Sequence, residues 1–170
     1  MSMYLQQEFD FIQRTKIIIE QYDEHFCNKN TDMKFDVTLL LNCMVGLLIL
    51  PHTYWFGYLP KELISKAQWG IHPDNISFIK IGETKSVDEV TRHLRNSLSH
   101  YRFQVFKDEN NEINEIYFED RDEKEKTFEA NIPISGIKIF MDKFSQWVLD
   151  EMKEEKQPLI DNSKFFDPSI

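Results

Sequence analysis

The residues best suited to chemistry in this chain lie in the stretch RNSLSH, from Arg95 to His100. The arginine and the histidine are five positions apart, and Asn96 follows the arginine directly. An imidazole can take or give a proton near neutral pH, and a guanidinium can hold phosphate oxygens and the negative charge that grows on them. The two residue types therefore suit acid–base chemistry at a phosphate. The plain alternative is a pair of polar side chains on the solvated face of a helix.

A capped amphipathic helix is predicted to carry this motif. Ser86 and Glu89 have the spacing of a capping box, in which each side chain reaches the backbone N–H of the other residue. On a helical wheel the apolar side chains fall within about 60° of Val87; they are Val90, Leu94, Leu98 and Tyr101. Asn96 and His100 fall at roughly 180° and 220°, and Arg95 at roughly 80°. The pattern predicts that the motif lies on the face opposite the core.

Four neighbouring residues are weaker candidates for contacts with a substrate: Arg92, His93, Ser99 and Arg102. His93 falls near His100 on the wheel, but the two are about 10 Å apart along the helix axis, too far to bind one zinc ion together. No other spacing of histidine, cysteine or carboxylate residues in the chain predicts a metal site. We therefore expect neither a metal nor a cofactor.

Composition indicates a single globular domain. The chain has 170 residues, of which 41% are hydrophobic and 14% aromatic, enough to bury a core. Its two cysteines give neither a disulfide framework nor a metal-ligand spacing. The longest apolar run, Thr38 to Leu50, has 13 residues, which is short for a membrane span. The N-terminal stretch has no basic segment followed by an apolar one, which is the pattern of a signal peptide. We therefore expect a cytoplasmic protein that does not contact a membrane.

The charge is negative overall but unevenly distributed. A net charge of −9 argues against a protein that coats nucleic acid in general, because phosphate binding normally needs a basic surface, and no DNA partner is expected. The segment 61–102 has seven Lys/Arg and five Asp/Glu, a local balance of +2, and it ends with the motif. The segment 103–131 has four Lys/Arg and ten Asp/Glu, a balance of −6. The motif thus lies in the only basic part of the chain, although scattered solvated charge also accounts for many such differences.

Periodicity predicts a mainly α fold with a small β-insertion. Helices are expected over residues 5–26, 36–50 and 61–69, in the motif segment, and from Ile137 to Met152. The run FQVFKDENNEINEIYFED predicts a β-hairpin, KTFEANI a third strand, and Ser77 to Ile81 a short extended piece. We predict one domain over 1–170, with a helical bundle at about 2–101 and 133–156, a β-insertion at about 102–132, and a polar tail at 157–170.

The motif and its setting resemble the HEPN superfamily of small α-helical domains. The ribonuclease members of that superfamily carry an R-x4–6-H motif, often with a polar residue after the arginine, as in RNSLSH. The segments FIQRT, VTLLLNCMVGLLILP and IPISGIKIFMDKF are similar to a HEPN group found on bacterial chromosomes and plasmids. The likeness covers roughly residues 9–150. One departure is that Tyr101 directly follows His100, where toxins of this type often have H-x-Y.

The resemblance implies a metal-independent endoribonuclease with a phage-defence or toxin role. It makes His100 the acid/base, Arg95 the group that binds phosphate, and Asn96 a group that orients the imidazole or contacts phosphate. It also implies a homodimer in which Arg95 of one chain approaches His100 of the other, with RNA as substrate and an antitoxin as a neutralising partner. The alternative is a non-catalytic HEPN module that binds a nucleotide or a protein partner.

An aromatic loop follows the second predicted helix and contains Tyr54, Trp55, Phe56 and Tyr58. Such rings can stack on bases, and they can equally fill a core or line a dimer contact. The sequence leaves both functions open.

Overall fold

Five α-helices are present in the part of the chain that the structure, a computed structural model, describes, namely residues 7–27, 36–49, 56–107, 109 and 113–154. They are α1 (Gln7–Tyr22), α2 (Asp36–Ile49), α3 (Ile64–Ala67), α4 (Val87–Ser99) and α5 (Ile134–Glu154). A π-helical turn, Asp23–Cys27, continues α1, and a 3-10 turn, Pro73–Asn75, precedes the first strand. Tyr54, Trp55 and the predicted polar tail lie outside the described residues.

Four strands form one antiparallel sheet: β1 (Ile76–Ile79), β2 (Phe103–Lys107), β3 (Ile113–Asp122) and β4 (Glu125–Pro133). Their order in the sheet is β1-β4-β3-β2. The predicted hairpin is β2–β3, and the predicted third strand is β4. The short extended piece before the motif is β1, which pairs with β4 through Ile76 and Ala130.

The prediction of a mainly α bundle with a small β-insertion is wrong, because the chain has a mixed α/β fold in which helices predominate. The sheet has one apolar face, whose alternating residues are all buried: Ile116 and Phe118 on β3, and Phe128, Ala130 and Ile132 on β4. An apolar sheet face must pack on another element, and this one packs on α4 and α5. Strands from before and after the motif helix therefore form a second layer of the core.

The motif helix α4 lies between the two layers. On one flank Val90, Leu94 and Leu98 are buried among the helices, as the wheel predicts. On the other flank His93 and Ser97 are also fully buried, because the sheet covers them. The buried arc of α4 is therefore wider than a single core stripe, and the expectation that His93 lies on an open polar face is wrong.

The ends of α4 differ from the predicted ones. Ser86 occupies the N-cap position, but its side chain makes no capping hydrogen bond. Its hydroxyl instead donates to the Oδ1 atom of Asp88, so the predicted capping box is absent. At the other end the helix stops at Ser99, and Tyr101 adopts a positive φ of 55°. Tyr101 is 82% exposed, so its predicted place in the core stripe is wrong.

The loop after α3 passes very close to the start of α5. Gly70 has a φ of 82°, a backbone conformation that side chains with a Cβ atom rarely adopt. A Cβ atom on Gly136 would lie 2.5 Å from the carbonyl oxygen of Gly70, so only glycine fits at this crossing. No helix among the described residues is both long and apolar enough to cross a membrane.

Candidate functional site

His93 forms the centre of a buried polar network between α4 and the sheet. Its Nδ1 atom donates to the Oδ2 atom of Asp120 on β3 at 2.9 Å, and its Nε2 atom lies 2.8 Å from the Oε2 atom of Glu83. The imidazole stacks on the ring of Phe128 with a centroid distance of 4.7 Å and an interplanar angle of 8°. Two carboxylates and one aromatic face therefore fix the position of this ring.

Asp120 is a buried carboxylate that accepts hydrogen bonds at both of its oxygens. Its Oδ2 atom accepts from His93 and from the Asn96 amide at 2.9 Å, and its Oδ1 atom accepts from the backbone N–H of Arg121 at 2.8 Å. The guanidinium of Arg102 lies 3.8 Å away. Burial acts to raise the pKa of Asp120, but these hydrogen bonds outweigh it and hold that pKa below its ordinary value.

A second cluster closes the network towards solvent. The guanidinium of Arg92 contacts Glu83 at 2.7 Å and also pairs with Glu89 one turn earlier. Burial acts to lower the pKa of Arg92, whereas the two carboxylates raise it above its ordinary value. Glu83, from the loop before α4, thus bridges Arg92 and His93 and ties that loop to the helix.

Arg95 projects from α4 on the side of the helical layer. Its guanidinium carbon lies 4.7 Å from the centre of the Phe56 ring, a cation–π distance. Phe56 in turn packs against Phe144 of α5, with ring centroids 6.0 Å apart. Phe56, a ring of the predicted aromatic loop, therefore connects Arg95 to the helical bundle.

His100 lies at the open C-terminal end of α4. Its backbone N–H donates to the Asn96 carbonyl oxygen at 3.0 Å, and its side chain is exposed. Within the described residues no hydrogen bond or ion pair holds its imidazole. Ser99 beside it is exposed as well. Since five helical residues rise about 7.5 Å and turn through about 140°, Arg95 and His100 point to different sides of one helix.

Comparison with known protein families identifies the family of this chain. The family HEPN pEK499 p136 matches residues 1–155, nearly the whole chain. The chain belongs to this HEPN family. The resemblance inferred from RNSLSH and its setting is therefore confirmed. Searches of curated proteins and of solved structures returned no significant match.

Among the described residues of this HEPN domain, one group of side chains has the composition of a cation site, namely Glu83, Glu89 and His93. The two carboxylates already bind the guanidinium of Arg92, and Glu83 also contacts His93. A cation in this cluster would have to displace a positively charged side chain. The cluster is better described as a structural ion-pair network than as a metal centre.

The sequence did not indicate Asp120, the carboxylate of the buried network that binds both His93 and Asn96. The signal was present in the strand alternation, because Ile116, Phe118 and Asp120 are two residues apart and must face the same side of β3. An acidic residue in that series is a buried carboxylate that needs a partner from the element packed on it. The sequence gives no comparable signal for Glu83, which lies in a loop.

The structure divides the predicted site residues into three sets. Asn96 and His93 meet at Asp120, and Arg92 closes the same network. Arg95 lies towards the helical layer. His100, Ser99 and Arg102 lie at the C-terminal end of α4 and just beyond it.

Proposed function

We propose that this HEPN protein is a dimeric, metal-independent endoribonuclease. In this proposal His100 transfers protons, and Arg95 binds the scissile phosphate. The observation that carries the proposal is the contrast between the two histidines of α4. His93 is buried and held on both sides, whereas His100 is exposed at a helix end and its side chain has no partner among the described residues.

The proposed reaction needs only the groups that this helix supplies. A ribose 2′-hydroxyl loses its proton and bonds to the adjacent phosphorus, the bond to the 5′-oxygen breaks, and that oxygen takes up a proton. The products are a 2′,3′-cyclic phosphate end and a 5′-hydroxyl end. An imidazole can transfer both protons in turn, and a guanidinium can stabilise the negative charge on the phosphate oxygens.

Asn96 and the buried network serve this proposed site by holding α4 in position. The Asn96 amide donates to Asp120, and the Asn96 carbonyl oxygen accepts from the His100 backbone N–H. The residue thus connects the sheet to the helix turn that carries His100. We propose Asn96 as a positioning residue and Ser99 and Arg102 as contacts to RNA. The proposed target is cellular RNA, in a defence or toxin role that an antitoxin neutralises.

A second candidate function is a non-catalytic HEPN module that binds a nucleotide or a protein. The observation that favours it is that Arg95 packs on Phe56 and Asn96 binds Asp120, so both residues have structural tasks. The two functions differ in one respect that an experiment can measure: only the first requires His100 for turnover.

The test is cleavage of single-stranded RNA by purified His100→Ala and Arg95→Ala proteins, compared with wild type and with the matched control His72→Ala. His72 is also exposed, and it is the N-cap residue of the 3-10 turn before β1. We expect His100→Ala and Arg95→Ala each to reduce the rate at least about 100-fold, since an acid–base group and a group that stabilises the developing negative charge each contribute at least about that factor. The control should match wild type.

The same reactions performed in EDTA test the independence from metal. We expect cleavage to continue and the products to carry cyclic phosphate ends, which mass spectrometry identifies. A His100→Ala protein that cleaves at the wild-type rate would exclude His100 as the proton-transferring group, and a wild-type protein that does not cleave RNA would favour the non-catalytic module. Strict magnesium dependence with 5′-phosphate products would contradict the proposed mechanism.

A further inference from the structure

A groove on the sheet begins where the motif helix ends. It has a volume of about 400 Å³, and Tyr101, Phe103, Phe106 and Tyr117 supply its aromatic walls. Arg102 and Arg121 also line it. This volume is within the usual range for small-molecule sites, roughly 300–1,000 Å³. Because Tyr101 directly follows His100, the groove and the exposed imidazole are neighbours in the chain.

Tyr101 occupies a position that usually belongs to glycine. The Arg102 N–H donates to the Ser97 carbonyl at 2.7 Å and the Tyr101 N–H to the Leu98 carbonyl at 3.1 Å, which is the Schellman pattern of a helix end. That pattern needs a left-handed residue, and here it is a tyrosine with a φ of 55°. The ring gains little burial in return, because 82% of the residue is exposed.

Of the other aromatic rings of the groove, Phe106 is exposed, whereas Phe103 and Tyr117 are half-buried. Phe106 is 41% exposed and meets Tyr117 edge to face at 6.3 Å. Tyr101 meets Phe103 in the same manner at 4.9 Å. Two exposed rings, Tyr101 and Phe106, and two half-buried ones, Phe103 and Tyr117, thus line the groove near the end of the helix that carries His100.

The charged groups of the groove favour an anionic ligand. Glu119 is already engaged by the Arg121 guanidinium and by the Tyr117 hydroxyl, which donates to it at 3.1 Å. The Arg121 guanidinium is the main reason that the pKa of Glu119 lies below its ordinary value. The guanidinium of Arg102 donates to the Arg121 carbonyl at 3.1 Å and keeps further N–H groups that can reach a phosphate.

We propose that this groove binds an unpaired RNA nucleotide, with its base stacked on Tyr101 or Phe106 and its phosphate beside Arg102. Exposed aromatic rings next to arginine are the usual means of holding single-stranded RNA, since every base has a face that can stack. The proposal rests on the proposed ribonuclease function, because a base held here would leave its ribose and phosphate close to His100. A duplex has no free base to offer and should bind weakly.

The test uses the full chain with His100→Ala, so that binding is measured without cleavage. Fluorescence anisotropy compares a labelled single-stranded RNA with a blunt duplex of the same sequence. We expect Tyr101→Ala and Phe106→Ala each to weaken single-strand binding about tenfold, which is within the range for the loss of one stacked base. Tyr101→Phe should bind like the parent.

Phe78→Ala is the matched control. Phe78 is 39% exposed on β1, at the opposite edge of the sheet from β2, so it has a similar ring and exposure but lies outside the groove. It should leave RNA binding unchanged. If Tyr101→Ala folds poorly, Tyr101→Gly serves in its place, because glycine suits the backbone at that position.

Each outcome decides one of the two claims. The groove proposal is wrong if Tyr101→Ala and Phe106→Ala both leave the affinity for single-stranded RNA unchanged. It is also wrong if they weaken binding of the duplex as much as binding of the single strand. A change of oligomeric state on size-exclusion chromatography without a change in RNA affinity makes the groove a protein contact and also overturns it. If the wild-type protein binds RNA through the groove but never cleaves it, the groove stands and the ribonuclease function fails.

Discussion

At the scale of single residues, Asp120 connects the two layers of the fold. It accepts three hydrogen bonds, two from α4 side chains and one from the backbone N–H of Arg121, and its side chain is only 3% exposed. Removal of one partner from a buried charged network is costly because the remaining charge loses its compensation. The stability of the motif helix on the sheet should therefore depend on this one carboxylate.

Asp120→Asn should lower the free energy of unfolding by about 2–4 kcal/mol, because the negative charge is lost and the Asn NH2 group must face a donor in either orientation, the backbone N–H of Arg121 in one and the donors of His93 and Asn96 in the other. Asp122→Asn is the control, because Asp122 ends the same strand and its side chain is 72% exposed. The control should change stability by less than about 0.5 kcal/mol. Urea denaturation followed by circular dichroism gives both values. Equal stabilities of the two variants would count against the network.

The lowered pKa of Asp120 predicts how stability changes in acid. The unfolded chain takes up this proton near its ordinary pKa of about 3.9, whereas the folded protein does so only at lower pH. The stabilisation is thus complete above that value and is lost as the pH falls through the folded pKa. The stability gap between wild type and Asp120→Asn should stay constant between about pH 7 and 5 and narrow below about pH 4. A gap that widens in acid would contradict the assignment.

At the scale of elements, α4 combines a rigid body with an unusual end. Its first three turns are held by helices on one flank and by the sheet on the other, and its last turn carries the exposed His100. Tyr101 then reverses the chain in a left-handed conformation. At the helix end the left-handed backbone of residue 101 favours glycine, whereas the proposed groove needs the tyrosine ring.

Two substitutions at position 101 separate the backbone effect from the loss of the ring. Tyr101→Ala and Tyr101→Gly both remove the ring contact with Phe103, but only glycine relieves the left-handed backbone. The glycine variant should be more stable than the alanine variant by about 1 kcal/mol, because that is the usual cost of a Cβ atom in this conformation. Thermal unfolding followed by circular dichroism measures it. An alanine variant of equal stability would mean that the turn is not strained.

At the scale of the whole molecule, the proposed chemistry requires two chains. Arg95 and His100 lie about 140° apart on one helix, so a phosphate bound by one side chain is poorly placed for the other within a single copy. The sheet covers the flank of α4 that carries His93, whereas Arg95 is half-buried against Phe56 and His100 is exposed at the helix end, so these two side chains keep surface for a second copy. We therefore propose a homodimer with composite sites.

Mixed dimers test this arrangement directly. When Arg95→Ala and His100→Ala chains are unfolded together and refolded, a mixed dimer contains one site with both wild-type residues if each site draws on two chains. Activity should return to roughly a quarter of the wild-type value, given random pairing and one active site in half of the dimers. The double variant mixed with wild type is the control. A monomer at micromolar concentration by light scattering, or no recovery in the mixture, would contradict the composite site.

The sequence by itself determined the family, the position of the motif helix and most of the strands. These features depend on local pattern: the R-x4-H spacing, the apolar stripe from Val87 to Leu98, and the alternation in β3 and β4. Such patterns act within one element, so they can be read without knowledge of its neighbours.

Only the tertiary structure decided what covers each face of those elements. A helical wheel places His93 away from the apolar stripe that begins at Val87. It cannot show that β3 packs on that side of the helix and brings Asp120 within hydrogen-bond distance of His93. The position of Tyr101 likewise depends on where the helix ends, which is set by backbone hydrogen bonds of the last turn. Burial and partners are properties of packing between segments distant in sequence, and that is why Asp120, Glu83 and the groove beside His100 emerged only from the fold.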